Sequence, residues 1–308
     1  MTDLAALMLD MGRRARAAAD ALRATTPEAR TKALTCLAAG LRGAEADILS
    51  ANARDIDNAR ASGLSEALID RLALTPARVE GMAVAVETIA AQPDPVGAET
   101  ARWTPANGLD IARVRTPIGV LGVIYESRPN VTADAAALCI RSGNAAILRC
   151  GSDCLQSSLA IASLIVQALA EAGLPADAVQ LVDTPDRAAV GLMLTGLDGA
   201  IDVIIPRGGK SLVARVQAEA KTAVLSHLEG LNHTYLHQTA EVDAARAIVL
   251  NAKMRRLSVC GAAETLLPEE PFDIDAVCET LKARHAKGRF ASIVVVAEGA
   301  QPKEGSLT

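Results

Sequence analysis

The apolar run Pro117-Ile-Gly-Val-Leu-Gly-Val-Ile124 decides how this chain can fold. It contains two glycines and no charged residue, and it therefore predicts a strand that is buried on both faces. A polar stretch that includes Pro129-Asn130 follows, and a helix is predicted over about 131–141. The run thus begins a β–α unit, the repeating element of a parallel sheet.

Strands and helices continue to alternate after this unit, with short links between them. Further strands are predicted over 145–148, 179–182, 201–205 and 222–225, and helices over 155–172, 186–194 and 211–221. This pattern is typical of an α/β fold with a parallel, Rossmann-type sheet covered by helices on both faces. Such sheets bind ligands beyond the carboxyl ends of their strands.

The section before this sheet, residues 1 to about 93, has the pattern of consecutive amphipathic helices. Thr26-Pro27 and Thr75-Pro76 each place a capping residue before a proline at the first helical position. The stretch 92–97, rich in proline and glycine, ends this helical section.

The composition of the 308 residues argues against several classes of protein. The net charge is −5 and five residues are aromatic, so a nucleic-acid surface is not expected. The longest apolar stretch, around 159–170, is shorter than the roughly 20 residues of a membrane span. No signal peptide is recognisable. We therefore expect a cytoplasmic protein with no membrane or nucleic-acid partner.

The six cysteines show no CxxC pair and no histidine at zinc spacing, so we expect reduced thiols and no metal site. Cys260 follows the basic segment 253–256 and begins a stretch that predicts a helix. A helix N-terminus and nearby cations lower a thiol pKa, which favours a nucleophile. Cys139 lies within an apolar helical face and is expected in the core.

Three other segments allow both a functional and an ordinary interpretation. The turn Pro206-Arg-Gly-Gly-Lys210 could approach an anion or simply link a strand to a helix, and the fingerprint GxGxxG is absent. Asn130 could donate its amide to an oxyanion or cap the following helix. Glu229 could act as a general base or as a solvated loop carboxylate.

Several segments together resemble the gamma-glutamyl phosphate reductase family of the aldehyde dehydrogenase superfamily. They are 117–152, 224–230, 250–256 and 259–267, and the likeness runs in order over about 1–267. It implies an aldehyde dehydrogenase-like fold, with N-terminal helices and an NADP-binding domain over 1–226. The catalytic domain would begin over 227–267. Because the family continues beyond Leu267, the resemblance implies a truncated catalytic domain.

The resemblance also implies roles for particular residues. Cys260 matches the nucleophile that forms a thioester, Asn130 the oxyanion donor, and Glu229 the general base of the superfamily. The cofactor-binding regions of the family match Arg149, Gly151, Ser152, Pro206, Arg207, Gly208, Gly209 and Lys210. Arg255 and Arg256 are candidates for holding substrate anions.

The implied reaction is the NADPH-dependent reduction of glutamate 5-phosphate to glutamate 5-semialdehyde, with release of phosphate, in proline biosynthesis. Two alternatives stay open: an NADP-binding remnant without turnover, and a non-phosphorylating aldehyde dehydrogenase. Candidate partners besides the small-molecule substrate are a second copy of the chain and glutamate 5-kinase.

Residues 268–308 instead resemble a fragment of 6-phosphofructokinase. They contain no nucleotide site or catalytic aspartate motif, so no kinase activity is implied. The chain thus has the pattern of a fusion, and we expect 268–308 to pack loosely.

Overall fold

The computed structural model describes residues 3–227, 230–255, 260–269, 272, 274–285 and 294–295. The chain divides into two compact units, Met1–Ser226 and His227–Thr308. The first unit contains the N-terminal helices and the larger sheet, and the second contains a smaller sheet with its own core.

Five helices form the first part of unit one, as the sequence predicts. They are α1 (Leu4–Arg23), α2 (Pro27–Gly43), α3 (Glu45–Ala61), α4 (Glu66–Leu72) and α5 (Pro76–Ala91). Both predicted caps are confirmed. The Thr26 hydroxyl accepts from the Ala29 amide at 3.3 Å, and the Thr75 hydroxyl accepts from the Arg78 amide at 3.2 Å.

A β-hairpin that the sequence did not predict follows these helices. Strand β1 (Glu99–Trp103) pairs antiparallel with β2 (Ile111–Val114). All residues of the two strands except Ile111 are exposed, so the alternation of apolar and polar residues that marks a half-buried strand is missing.

The central sheet confirms the predicted parallel architecture. Its strands are β3 (Val120–Tyr125), β4 (Ala145–Arg149), β5 (Val179–Leu181), β6 (Val203–Arg207) and β7 (Ala223–Val224). Its helices are α6 (Asn130–Arg141), α7 (Leu155–Glu171), α8 (Ala188–Leu194) and α9 (Lys210–Glu219). All pairs are parallel in the order β5-β4-β3-β6-β7, and every residue of β3 and β4 is buried. The strand order therefore reverses between β3 and β6.

The helix α7 is the most apolar long helix of this unit. The segment 152–171 is long and apolar enough to cross a membrane by length and composition alone. In the structure, α7 packs against α2, α3 and α6, and it buries Ile161, Ile165 and Leu169. Core packing accounts for the apolar residues on this buried face.

A buried carboxylate joins two helices of unit one. Asp55 of α3 accepts hydrogen bonds from the backbone amides of Gln156 and Ser157, at 3.1 and 2.8 Å, and from the Ser157 hydroxyl at 2.6 Å. It therefore caps the N-terminus of α7 from a different helix. Burial raises the pKa of Asp55, against the lowering effect of these hydrogen bonds.

Replacing Asp55 by alanine should destabilise unit one. Two amides of α7 would lose their acceptor in a buried position, which costs about 2–3 kcal/mol of the free energy of unfolding. Urea unfolding of Asp55→Ala measures this loss. The exposed Asp57 lies on the same helix, so Asp57→Ala is the matched control and should change the free energy by less than about 0.5 kcal/mol. Equal losses in the two variants would contradict the capping role.

The second unit is built around a three-stranded parallel sheet. Its elements are β8 (His233–Leu236), α10 (Val242–Met254), β9 (Thr265–Pro268), α11 (Asp275–His285) and β10 (Val294–Val295). The strand order is β10-β9-β8. The buried core consists of Leu236, Ala245, Val249, Leu266, Phe272, Val277 and Leu281.

Two predictions for this unit are wrong in the described residues. The stretch after Cys260 is a turn followed by strand β9 and not a helix, because pairing with β8 places Leu266 in the core. The expected loose packing after Leu267 is also wrong, since α11 packs against α10 and buries Val277 and Leu281. Strand β9 itself runs across the predicted boundary between 267 and 268.

Candidate active site

Three segments meet at the carboxyl edge of the central sheet, at the point where the strand order reverses. The segment after β3 contacts the segment after β6, because the Glu126 carboxylate accepts from the Gly209 amide at 3.2 Å. It also contacts the segment after β4, where Asp153 accepts from the amide and hydroxyl of Ser127. In open α/β sheets this switch point is where ligands bind.

Buried hydrogen bonds fix the end of β3 beneath this edge. The Tyr125 hydroxyl lies 2.6 Å from the Thr132 hydroxyl of α6, which donates to the Ser158 hydroxyl of α7 at 3.1 Å. Burial raises the pKa of Tyr125, so the phenol stays protonated. The next residue but one, Ser127, has a φ of 48° and turns the chain back toward α6.

Asn130 is the first residue of α6 and is half-buried. The N-cap position of α6 is Pro129, so Asn130 lies within the helix and the interpretation of Asn130 as the cap is wrong. Instead, the amide nitrogen donates to the Asp134 carboxylate at 2.9 Å, one helical turn along. An amide carries two hydrogens, so this bond orients the group and leaves the second hydrogen for another acceptor.

Asp134, which orients Asn130, carries a perturbed carboxyl group. Burial raises its pKa, against the lowering effects of the Asn130 hydrogen bond and of the Arg207 charge. Asp134 was not among the residues predicted from the sequence. Asp134 lies four residues after Asn130 in a predicted helix, and side chains at this spacing are neighbours on one helix face. The pair could therefore have been recognised from the sequence.

The predicted cofactor residues after β4 occupy the carboxyl edge in different ways. Arg149 is 7% exposed and donates to the Pro185 carbonyl at 3.0 Å, while its Nε has no hydrogen-bond partner. A Cβ on Gly151 would lie 2.1 Å from the Asp153 carboxylate, so a larger residue here would displace that side chain. Ser152 is exposed and begins a short 3₁₀ helix.

The turn 206–210 joins β6 to α9. Pro206 is buried and Arg207 is exposed, and α9 begins at Lys210 with Gly209 at the N-cap position. A Cβ on Gly208 would lie 2.5 Å from the Glu126 carboxylate and 2.8 Å from the Leu212 side chain. The turn therefore brings backbone close to an anionic group at a helix N-terminus.

These residues fit the phosphates of a dinucleotide. Glycine at 208 keeps the strand-to-helix turn narrow, and the Gly209 amide already donates to a carboxylate. Arg149 adds a buried guanidinium with one unpartnered donor at the end of the neighbouring strand. Backbone amides at a helix start and a guanidinium are the donors that phosphate groups bind.

Cys260 belongs to the second unit, where it is exposed in a turn. Its carbonyl accepts from the Asn232 side-chain amide, which also donates to the Ala262 carbonyl at 3.2 Å. Arg255 is exposed just after α10. Two further predicted residues, Glu229 and Arg256, lie outside the described residues.

The backbone of Cys260 packs directly against Gly230. A Cβ on Gly230 would lie 1.9 Å from the Cys260 carbonyl oxygen, so this position requires glycine. Gly230→Ala must therefore displace the turn that carries the thiol. We expect the free energy of unfolding to fall by about 1–3 kcal/mol. The rate at which iodoacetamide alkylates Cys260, followed by peptide mass spectrometry, should also change.

The control for this substitution is Gly261→Ala, next to the same cysteine. A Cβ on Gly261 would meet no atom within 4 Å. In Gly261→Ala, iodoacetamide should alkylate Cys260 at the wild-type rate. If the rate is also unchanged in Gly230→Ala, the close contact does not set the position of the thiol.

Comparison with known proteins places the chain in a family. The model of the aldehyde dehydrogenase family matches residues 6–292, and the chain belongs to that family. Its relatives include gamma-glutamyl phosphate reductases. The chain is 62% identical over 263 residues to that of Caulobacter vibrioides, covering 85% of this chain and 64% of the relative. It is 52% identical over 304 residues to that of Brucella anthropi, covering 97% and 71%.

A solved structure agrees with this relationship. The crystal structure of gamma-glutamyl phosphate reductase from Thermotoga maritima is 39% identical and matches with a TM-score of 0.82, covering 90% of this chain and 68% of that one. The predicted resemblance and the aldehyde dehydrogenase-like fold are thus confirmed. The family match extends to residue 292, past Leu267, where the resemblance was expected to end. The chain spans 64% of the length of the Caulobacter relative.

Proposed function

We propose that this chain carries out the NADPH-dependent reduction of L-glutamate 5-phosphate to L-glutamate 5-semialdehyde, with release of phosphate, in the proline biosynthesis of the cytoplasm. The observation that carries this proposal is the identity of 52–62% to relatives named gamma-glutamyl phosphate reductase. The exposed thiol of Cys260 and the backbone amides at the switch point are groups of the kind that the reaction needs.

The chemistry begins at Cys260. Its thiolate attacks the acyl carbon of the substrate, the bond from that carbon to the phosphate oxygen breaks, and phosphate leaves with the electron pair. The product is a thioester on Cys260. Reduced nicotinamide, when bound, would supply a hydride to the thioester carbon, which makes that carbon tetrahedral while it is still joined to Cys260. The tetrahedral species then expels the Cys260 thiolate and releases the semialdehyde.

Asn130 would stabilise the oxyanion that develops in each half of the reaction. The hydrogen bond to Asp134 holds the amide in one orientation, and the second hydrogen would donate to the negative oxygen. The residues proposed to hold NADP are Arg149, Gly151, Ser152 and 206–210. Arg255 and Arg256 are proposed to bind the anionic groups of the substrate.

Glu229 has no step in the phosphate-releasing reaction, because no water attacks the thioester. It would act as a base in the alternative function, a non-phosphorylating aldehyde dehydrogenase, in which water hydrolyses the thioester. A further alternative is that residues 1–308 by themselves bind NADP without turnover. This alternative is retained because the chain spans 64% of the length of the Caulobacter relative.

One assay separates these functions. The purified chain is given glutamate 5-semialdehyde and NADP with and without inorganic phosphate, and formation of NADPH is followed by absorbance. Turnover that requires phosphate is the expected result. Turnover without phosphate would identify the non-phosphorylating reaction. Saturable NADPH binding without turnover would identify the binding function, and absence of binding would contradict all three.

Two partners are proposed beyond the small molecules. A second copy of the chain would form a homo-oligomer, which sedimentation tests. Glutamate 5-kinase would supply the acyl phosphate, and a coupled assay with and without the kinase tests whether it is needed to deliver this short-lived substrate.

A further inference from the structure

The Glu126 carboxylate is the feature of the switch point that the proposed reaction does not use. Glu126 follows the last residue of β3, and its backbone amide donates to the Arg207 carbonyl at 3.3 Å. Its side chain is directed across the reversal of strand order, toward the turn between β6 and α9.

The carboxylate takes the position that a ligand phosphate would need. It accepts from the Gly209 amide at 3.2 Å, at the N-terminus of the ten-residue helix α9. A Cβ on Gly208 would lie 2.5 Å from its Oε2, so the carboxylate lies against the turn and occupies the position next to the Gly209 amide. A phosphate at this turn and the carboxylate in this position therefore exclude each other.

We infer that Glu126 sets the phosphate affinity of the proposed NADP site, because its carboxylate competes as an internal anion with the cofactor phosphates for the α9 N-terminus. This inference rests on the proposed function. Glu126 is exposed, so the side chain can swing into solvent when a phosphate binds. The displaced carboxylate stays near the bound phosphate and repels it. The affinity for dinucleotides is therefore lower than it would be without the charge of Glu126.

The test is the substitution Glu126→Gln, which removes the charge and keeps an oxygen that can accept from Gly209. Dissociation constants for NADPH and ADP are measured by calorimetry at low salt. We expect both ligands to bind about fivefold more tightly, the factor for one unit-charge repulsion at about 4 Å in water. Adenosine has no phosphate, and its affinity should not change. The gain should shrink at high salt, because an exposed pair of charges is screened.

Glu28→Gln is the matched control. Glu28 is an exposed carboxylate on α2, a helix that packs against α5, α6 and α7, and its loss changes the net charge equally. It should leave all three affinities unchanged.

The outcomes separate this inference from the proposed function. Equal or weaker NADPH binding by Glu126→Gln, with normal binding by the wild type, overturns the inference and leaves the proposed function standing. Tighter binding of adenosine as well would also overturn it, because the effect would not come from phosphate. If neither protein binds NADPH, both fail. Binding by the variant alone supports the inference.

Discussion

Replacing Cys260 by alanine is expected to reduce kcat by a factor on the order of 10⁴ or more, to the background of the assay. The proposed reaction passes through a thioester, and alanine has no group that can form one. The Cys260 sulfur displaces phosphate from the acyl carbon and then carries the acyl group that accepts the hydride, so its loss removes both steps. The measurement is phosphate-dependent formation of NADPH from glutamate 5-semialdehyde.

Two controls make this result specific. Cys36→Ala removes a half-buried thiol whose pKa is raised by burial and by a hydrogen bond with Glu171, and it should retain activity. NADPH affinity should be unchanged in Cys260→Ala, because the proposed cofactor residues are in the other unit. Turnover by Cys260→Ala within tenfold of wild type would rule out the thioester mechanism.

Replacing Asn130 by alanine is expected to lower kcat by about 10²–10³, the usual loss for one oxyanion donor. In the wild type, one amide hydrogen of Asn130 donates to Asp134, and the second would stabilise the negative oxygen of both tetrahedral species. Because the ground-state carbonyl carries little charge, KM should change far less than kcat.

Substitutions of Asp134 test whether the orientation of the Asn130 amide matters for activity. Asp134→Asn keeps an oxygen that can accept from the Asn130 amide, whereas Asp134→Ala removes it. Activity should therefore be largely retained in Asp134→Asn and reduced in Asp134→Ala. If Asn130→Ala instead raises KM and leaves kcat unchanged, the amide binds substrate and does not stabilise the oxyanion.

The first unit could be predicted well because its signals are local. The run 117–124 has no charge, and only a strand buried on both faces suits it within an alternating α/β pattern. Thr26 and Thr75 mark helix starts through their own side-chain hydrogen bonds. Cys139 was correctly assigned to the core, where burial raises the pKa of its thiol to about 12.

The features that were missed depend on contacts between distant segments. The stretch after Cys260 has a plausible helical composition, but pairing of β9 with β8 makes it a strand. The hairpin of β1 and β2 buries almost nothing and so leaves no apolar alternation in the sequence.

The candidate site shows the same division. The glycines of the turn 206–210 were recognisable from the sequence, as was Asn130. Glu126 and Gly230 were not, because their importance comes from Gly209 and Cys260, which lie 83 and 30 residues away in sequence. The role of Cys260 came from resemblance to a family, since the helix start that was expected to activate it is absent from the described residues.

The central claim, that Cys260 carries the acyl group, can be tested without phosphate. The chain is incubated with radiolabelled glutamate 5-semialdehyde and NADP, quenched in acid and digested. The account predicts label on the peptide that contains Cys260, its release by hydroxylamine, as for a thioester, and no label on Cys260→Ala. Label on another peptide, or equal label on the alanine variant, would contradict it.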